Sequence, residues 1–562
     1  MPVKRKKWFK ILLIVVLSFV VLLCVLFPVY YRLVVVYPPN IYNEKALLLE
    51  RDTLSDTSFR IASDWLRKDS SGLWEMYLSG NPFELGVKNG KLASELVQYQ
   101  EKAFVDLLRE KIPNEFYIGF LKYFVALFNR NLDDCIPLDY QKEIYGVSLS
   151  AGSEFDFIGS KYQRILNYHA AHDIGHALQN LNMVACTSFG VWDEYSQDSN
   201  LVIGRNFDFY AGDAFAENKI VLFVHPDTGF DFAIITWGGM IGAVSGMNQH
   251  GLTLTLNAAK SDIPAKASTP VSIIARQILQ YAANIDEAFE IAKSFDSFVS
   301  ESFLIGSAKD HAVAIIEKSL DTTVLFRQEK NYIISTNHFQ DKAFAGTDLN
   351  IQNIANQTST YRMARVDELI RENMPIDYLK SAEILRNKKG LKNKDIGLTN
   401  EKAINQLIAH HSVIFKPEQG LMWVSTQPYQ LGSYICYDLN KVFDRSFPPG
   451  VFGKITIDSL NIPCDTFLLS QDYKIFQLYK NTVSSAKKYE RELSPDELNE
   501  FIHSNPEYYY TYVQLGDYYF EQQEYPNSLK FYNFALQKEI SSKIELEKIL
   551  EKIRQLQNDT RN

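Results

Sequence analysis

Between residues 201 and 257 the chain spells four short runs rich in β-branched and aromatic residues, at 202–205, 219–224, 232–236 and 252–256, each closed off by Gly, Pro, Asn or Asp. Runs of that length and punctuation are strands joined by turns, so this stretch reads as an antiparallel sheet. Helical patterns stand on either side: most of residues 43–181 upstream, with apolar periodicity at 93–107 and 116–127, and two helices over residues 270–295 downstream. The upstream exception is residues 74–80, which alternate and end at a Gly-Asn-Pro turn, a strand signature. Strand patterns return at 303–306, 312–317, 323–326, 332–336, 412–415 and 421–425, with helical stretches at 364–372 and 405–408. Sheets bracketed by helices predict a layered α+β body.

A chain of 562 residues exceeds one ordinary core, and 46% hydrophobic with 22% charged residues is the make-up of a folded globular protein. The net charge of -9 leaves no electrostatic footprint for nucleic acid. The basic residues that do cluster, Lys4, Arg5, Lys6, Lys7 and Lys10, precede an apolar run over residues 11–27 that continues through Pro28, Val29, Tyr30 and Tyr31 to Arg32. About 20 apolar residues cross the hydrocarbon as a helix, and positive flanks stay cytoplasmic. The expectation is a single-pass membrane anchor with the body on the extracytoplasmic side. The rival, a cleaved signal peptide, wants a small-residue site, which residues 27–31 do not offer. Cys24 follows Leu23 rather than a small residue, so no lipid attachment is expected there.

Five cysteines make no disulfide framework in so long a chain, although Cys436 with Cys464 could bridge. Cys186 is expected free. It stands in Met183-Val184-Ala185-Cys186-Thr187-Ser188, and Gly204-Arg205-Asn206-Phe207-Asp208 follows one hairpin's length later. A thiol attacks as thiolate, so a guanidinium held beside it by the next strand, oriented by a carboxylate, is the setting that activates such a sulfur. Phe209, Trp192 and Trp237 lie near in sequence as candidates for an acyl-binding pocket. A second cluster, His169, His172 and His176 with Asp173, places three imidazoles on one helical face and offers an alternative: a zinc-dependent hydrolase. Asp is shorter than the Glu that serves as base in such motifs, and no distant third ligand is evident, so no metal is assigned and no cofactor is implied.

Several motifs recur in a fixed order: Gly80-Asn81-Pro82-Phe83-Glu84-Leu85-Gly86 with Gly90, Cys186-Thr187-Ser188-Phe189, Gly204-Arg205-Asn206-Phe207-Asp208, Gly246-Met247-Asn248 with Gly251-Leu252, Thr336-Asn337-His338-Phe339, and Arg362. Together, over roughly residues 74–439, they resemble the N-terminal nucleophile (Ntn) hydrolases of the acyl-coenzyme A:6-aminopenicillanic-acid acyltransferase type, relatives of choloylglycine and penicillin V hydrolases. The resemblance implies a four-layer αββα sandwich and self-cleavage between Ala185 and Cys186, which makes Cys186 a new N-terminus. A free α-amine has a pKa near ambient pH, about 7.7 to 8, so it can take the thiol proton and return it to a leaving amine. By the same resemblance Arg205 favours the anion, Asp208 holds the amine, the Asn257 backbone N–H and the Asn337 amide form an oxyanion hole, and Arg362 orients the cluster. Ala185 stands where the acyltransferase often has glycine, adding a methyl at the bond to be cut.

The expected organisation is residues 1–45 as basic tail and anchor, 46–185 as the segment before the nucleophile, 186–475 as the nucleophile-bearing segment, and 485–562 as a helical tail. In that tail Tyr512, Leu515, Gly516, Tyr519, Tyr532 and Ala535 fall at offsets like those of a tetratricopeptide repeat, either docked on the body or free to recruit a protein partner. The function expected is attack of Cys186 on a linear N-acyl amide through a thioester acyl-enzyme. A processed, inactive scaffold acting through its tail is the remaining alternative.

Overall fold

The structure is a computed structural model that describes the backbone of every residue except 1, 43, 113, 171–172, 174–184, 211, 263, 265, 447, 490–492 and 560–562. The described residues form a mixed α+β body with two sheets. The larger has eleven strands in the order β1 (Asp52–Ser55), β2 (Ser58–Ile61), β3 (Asp64–Lys68), β4 (Trp74–Gly80), β7 (Ile220–Pro226), β8 (Phe232–Thr236), β9 (Ser245–Asn248), β10 (Leu252–Ala258), β11 (Glu301–Ser307), β12 (Ala312–Lys318) and β13 (Thr323–Phe326). The smaller has six: β14 (Tyr332–Ser335), β5 (Thr187–Asp193), β6 (Ser199–Phe207), β15 (His411–Lys416), β16 (Leu421–Ser425) and β17 (Tyr434–Asp438). The 201–257 stretch is therefore not one sheet. Its first run pairs within the smaller sheet, and the other three lie in the larger.

The sheets face each other through a shared apolar layer. Val221, Phe223, Ile235, Leu304 and Ile315 of the larger meet Leu201, Ile203, Val413, Phe415 and Met422 of the smaller. Helices Pro82–Leu92, Leu138–Ser148, Val271–Tyr281 and Ile285–Ser294 cover the outer face of the larger sheet, and Ser359–Asn373 with Tyr378–Leu385 cover that of the smaller. The first of these helices begins where its sequence says it should: Asn81 caps it by accepting from the Glu84 N–H, and Pro82 fills the first turn. Its Gly86 faces Gly146 of Leu138–Ser148 so closely that a Cβ on Gly86 would lie 2.0 Å from the Glu143 carbonyl oxygen. The glycines of that motif serve backbone-to-backbone packing.

One ladder ties the segment before Cys186 to the segment after it. Strand β4 runs parallel to β7, with Trp74 opposite Ile220 and Gly80 opposite Pro226, whereas every other paired strand is antiparallel. A break in the chain near residue 185 leaves that ladder intact.

Other expectations are corrected. Strands β1 to β3 lie where the upstream segment read as helical, residues 405–408 are irregular, and Tyr378–Leu385 and β17 add a helix and a strand. Cys436 is buried, Cys464 exposed, and both are free, so they form no bridge. Helix Gln471–Tyr489 runs through the boundary expected at 475–485. The tail is more than a single hairpin: Pro495–Ser504, Tyr509–Glu521, Tyr525–Ala535 and Lys543–Asp559 follow. Gly516 lets the Tyr532 ring approach, since a Cβ there would lie 2.4 Å from it. These helices pack on the body through Leu407 and Leu431. Leu398 and Asn505 exchange two hydrogen bonds at 3.0 and 2.9 Å, and Asn400 donates to the Glu539 carbonyl at 2.8 Å.

The helix Pro2–Val34 contains an apolar stretch of 25 residues, Lys10–Val34, long enough to cross a membrane. Its C-terminal end meets the helix Glu115–Phe128: the Tyr30 hydroxyl donates to the Tyr123 carbonyl at 2.7 Å.

Candidate active site

Cys186 immediately precedes β5. Because the smaller sheet is antiparallel, the start of β5, the ends of β6 and β14 and the start of β15 all lie at one edge, which brings together Cys186, Asp208, Asn337, His410 and His411. Arg205 faces Ser188 across the β5–β6 ladder. Its side chain crosses into the larger sheet: Nη2 donates to the Leu256 carbonyl at 2.6 Å and lies 3.7 Å from Cys186 Sγ, while Nη1 donates to Ser245 Oγ and faces His411 Nε2 at 3.4 Å. The guanidinium lies 4.2 Å over the Phe207 ring.

The second arginine grips the backbone of the Ala185–Cys186 bond. Arg362, in the first turn of Ser359–Asn373, donates through Nη1 to the Cys186 carbonyl at 2.6 Å and to Thr187 Oγ1 at 2.7 Å, with the Ala185 carbonyl at 3.4 Å. Its Nη2 donates to Asn337 Oδ1 at 2.6 Å, and Asn337 Nδ2 donates to the Ala258 carbonyl at 2.8 Å. The Ala185 N–H donates to the Asp208 carbonyl at 2.9 Å. Both guanidinium groups are buried, and burial lowers their proton affinity, that of Arg362 to about 10. Burying two cations with no bonded carboxylate among the described residues is costly, which marks the place as a candidate site.

Asp208 is fully buried, and neither carboxylate oxygen has a hydrogen-bond partner among the described residues. Burial pushes its pKa up to about 7 against the opposing pull of Arg362 and Arg205. Cys186 is free and buried. Burial pushes its thiol up to about 11, with Arg205 the largest opposing influence. In the uncut chain the guanidinium alone therefore does not make a thiolate.

Asn257 differs from its expected part. Its side chain is spent between Ser188, which donates to Oδ1 at 2.7 Å, and the Ser335 carbonyl, which accepts from Nδ2 at 2.8 Å. Bonded pairs in an antiparallel ladder recur every second residue. Ala259 donates to Ser300, which puts Asn257 and Ser302 in such a pair and commits the Asn257 N–H to β11. Asn257 holds the two sheets in register instead of offering a free donor.

The aromatic candidates separate. Phe209 and Trp237 line a narrow, half-open cleft together with Val97, Phe104, Tyr168 and Phe215. Trp192 lies in the core between the sheets. Cys186 does not line the cleft. Phe209 stacks on Phe207 at 5.6 Å, one ring from Arg205. His169 also lines the cleft, with both ring nitrogens committed: Nδ1 to the Ile165 carbonyl at 2.8 Å, and Nε2 accepting from the Ile241 N–H at 3.1 Å. His172 and His176 lie outside the described residues, and the remaining member of that cluster, Asp173, accepts from the Val271 N–H at 2.9 Å.

Sequence reasoning missed Ser245, His411 and Glu301. Glu301, at the start of β11, is fully buried with both carboxyl oxygens unpartnered among the described residues, and burial together with Asp173 holds its proton on. Nothing near Glu301 in sequence announces this, since it meets Arg205 only through the folded sheet.

Residues 195–426 match the family described as acyl-coenzyme A:6-aminopenicillanic acid acyl-transferase. The resemblance to that acyltransferase family stands. The matched segment includes Arg205, Asp208, Asn257, Asn337 and Arg362, and Cys186 lies before its first residue. Among curated relatives of this chain, an uncharacterized protein of Archaeoglobus fulgidus is 27% identical over 267 residues, 45% of this chain and 44% of the relative. Protein dcd1B of Dictyostelium discoideum is 23% identical over 280 residues, 46% of this chain and 53% of the relative. The chain thus spans about half the length of these relatives. Penicillin V acylase from Agrobacterium tumefaciens is a similar solved structure, 14% identical, covering 47% of this chain and 90% of that one with a TM-score of 0.32.

Proposed function

We propose that this chain is a self-processing cysteine amidohydrolase or acyltransferase of the Ntn type, built as an αββα sandwich, that cleaves linear N-acyl amides. One observation carries the reading: the Ala185–Cys186 peptide is held on both sides, by the Asp208 carbonyl on the Ala185 N–H and by Arg362 on the carbonyls, beside a buried carboxylate with no partner among the described residues. In processing, Cys186 Sγ attacks the Ala185 carbonyl carbon. The C–N bond breaks as the C–S bond forms, the Cys186 nitrogen takes the proton, and water then hydrolyses the thioester to free the Ala185 carboxylate and the thiol. Arg362 faces the oxygen on which charge develops.

The new α-amine meets Asp208, which gives that carboxylate its missing partner and tunes the amine as base. In turnover the amine takes the thiol proton, Sγ attacks the substrate carbonyl, and the leaving amine departs with that proton. Water or an acceptor amine then releases the acyl group. Asn337 Nδ2 keeps one N–H beyond its bond to Ala258 and is the side-chain donor for the oxyanion. The cleft bounded by Phe209 and Trp237 takes the acyl chain.

Residues 1–45 form a single-pass anchor, with the body extracytoplasmic. Residues 46–185 and 186–475 are two pieces of one fold joined by the β4–β7 ladder, and 485–562 is a docked, tetratricopeptide-like tail able to meet a protein partner. The anchor reading is supported by the helix Glu115–Phe128, which meets the end of the apolar helix and leaves Phe120, Phe124 and Leu127 exposed.

Intact-mass measurement of the purified chain beside Cys186→Ala tests the proposal. Two fragments meeting at Ala185/Cys186 are expected in the wild type only, and a single full-length species in both overturns it.

A further inference from the structure

Arg205 is held by groups that carry no charge, and the direction of every bond behind it can be worked out. A guanidinium only donates, so Ser245 Oγ accepts from Arg205 Nη1. The Ser245 hydroxyl then donates to His411 Nε2 at 2.8 Å. With Arg205 Nη1 as a second donor facing it at 3.4 Å, Nε2 carries no hydrogen. His411 is therefore the Nδ1–H tautomer and donates to His410 Nδ1 at 2.9 Å, which places the His410 proton on Nε2. That last N–H finds no acceptor among the described residues. Both rings are fully buried among aromatic rings: His411 is tilted against Phe207 at 5.3 Å, and His410 packs edge-on against Phe215 at 5.8 Å and Trp237 at 5.2 Å.

The charged neighbours explain why neutrality matters. Asp208 and Glu301 lie within electrostatic reach of Arg205, and Lys219 within reach of both histidines, yet Arg205 bonds neither carboxyl among the described residues. A carboxylate partner would fix the guanidinium equally well but would cancel the field it casts on sulfur. A neutral acceptor fixes it and leaves the charge for Cys186. We propose that Ser245, His411 and His410 form a one-way, uncharged relay that positions Arg205 against Cys186 and so sets the reactivity of that thiol. It rests on the reading of Cys186 as nucleophile.

The test is the pH dependence of Cys186 alkylation by iodoacetamide in the processed protein, followed by mass spectrometry of the Cys186 peptide. It compares wild type, His411→Phe, His411→Gln and Ser245→Ala. In His411→Phe the profile is expected to move to higher pH, with alkylation at pH 7 about tenfold slower, since one unit of thiol pKa is tenfold in thiolate. His411→Gln keeps an acceptor and a donor and should recover most of the loss. Ser245→Ala, a small change, carries the test if His411→Phe does not fold, and should slow alkylation about threefold. An unmoved profile in a folded variant beside a reactive wild type overturns the relay alone. A wild-type Cys186 inert to the reagent overturns the nucleophile reading and the relay with it.

Discussion

The Ala185 N–H donates to the backbone carbonyl of Asp208 at 2.9 Å, while the carboxylate of the same residue has no partner among the described residues. The main chain of Asp208 thus holds the residue before Cys186, and on the proposed reading its side chain waits for the amine that cleavage would create. Asp208→Asn should leave the fold and the appearance of the two fragments intact and slow hydrolysis of an N-acyl amide by on the order of a hundredfold, read from the amine released over time. Turnover at the wild-type rate would remove Asp208 from the mechanism.

The same carboxylate predicts a pH dependence. With its folded pKa pushed up to about 7 from an ordinary 3.8, the native uncut chain holds the proton more tightly than the unfolded chain. Its contribution is fully present below about pH 4 and is lost as pH rises towards 7, at up to about 1.4 kcal/mol per pH unit. In the uncut Cys186→Ala background, adding Asp208→Asn should flatten the fall in denaturant-derived stability between pH 4 and 7. Parallel curves for the two proteins would show that Asp208 is ionised without penalty.

Arg362 reaches three acceptors with one nitrogen and Asn337 with the other, a demand only a planar fork meets. Arg362→Lys retains the charge and loses the fork. Processing and turnover should both fall by about 10² to 10³, the scale for losing an oxyanion-side donor. Lysine performing within a few-fold of arginine would reduce Arg362 to a source of charge.

Much of this was legible in the sequence, for physical reasons. Strands β8, β13 and β16 are short apolar runs closed by turn residues, and their bounds match the reading from sequence. Strands β1 to β3 escaped because polar and charged residues such as Asp52, Ser58, Arg60 and Arg67 dominate them, and pairing rather than pattern holds them. Arg205 and Asp208 could be found because Arg205 lies in β6, where it pairs with Ser188 of β5, and Asp208 directly follows that strand. Ser245 and His411 could not: they lie 40 and 206 positions from Arg205 and meet it only when the two sheets stack. Trp192 was misplaced because alternation along β5 says which residues share a face, not whether that face looks into the cleft or between the sheets.

Gly86 and Gly146 set how close two helices behind the larger sheet can come. With 2.0 Å between a Gly86 Cβ and the Glu143 carbonyl oxygen, no rotamer relieves an alanine there, and the helices must part. Gly86→Ala should destabilise the fold by about 1 to 3 kcal/mol, read from urea midpoints at constant slope. An unchanged midpoint would mean that the two backbones do not touch in solution.

The apolar helix and its neighbour make a prediction about surroundings. Tyr30, at the end of the apolar stretch, bonds the Tyr123 carbonyl, and Phe120 and Phe124 on that second helix are 60% and 61% exposed. The second helix has 14 residues, too short to span hydrocarbon, and if the apolar helix spans a bilayer as proposed, a helix beside its end lies at the headgroup level, where aromatic side chains collect. Full-length protein in liposomes, with Cys24 and Cys464 replaced by Ser and a spin label at Phe124→Cys, should show greater collision with oxygen than with a water-soluble nickel chelate. A label at Phe452→Cys, 79% exposed elsewhere on the body, should show the reverse. Equal access to nickel at both positions would place the second helix in water and leave the apolar helix as its own only contact with a bilayer.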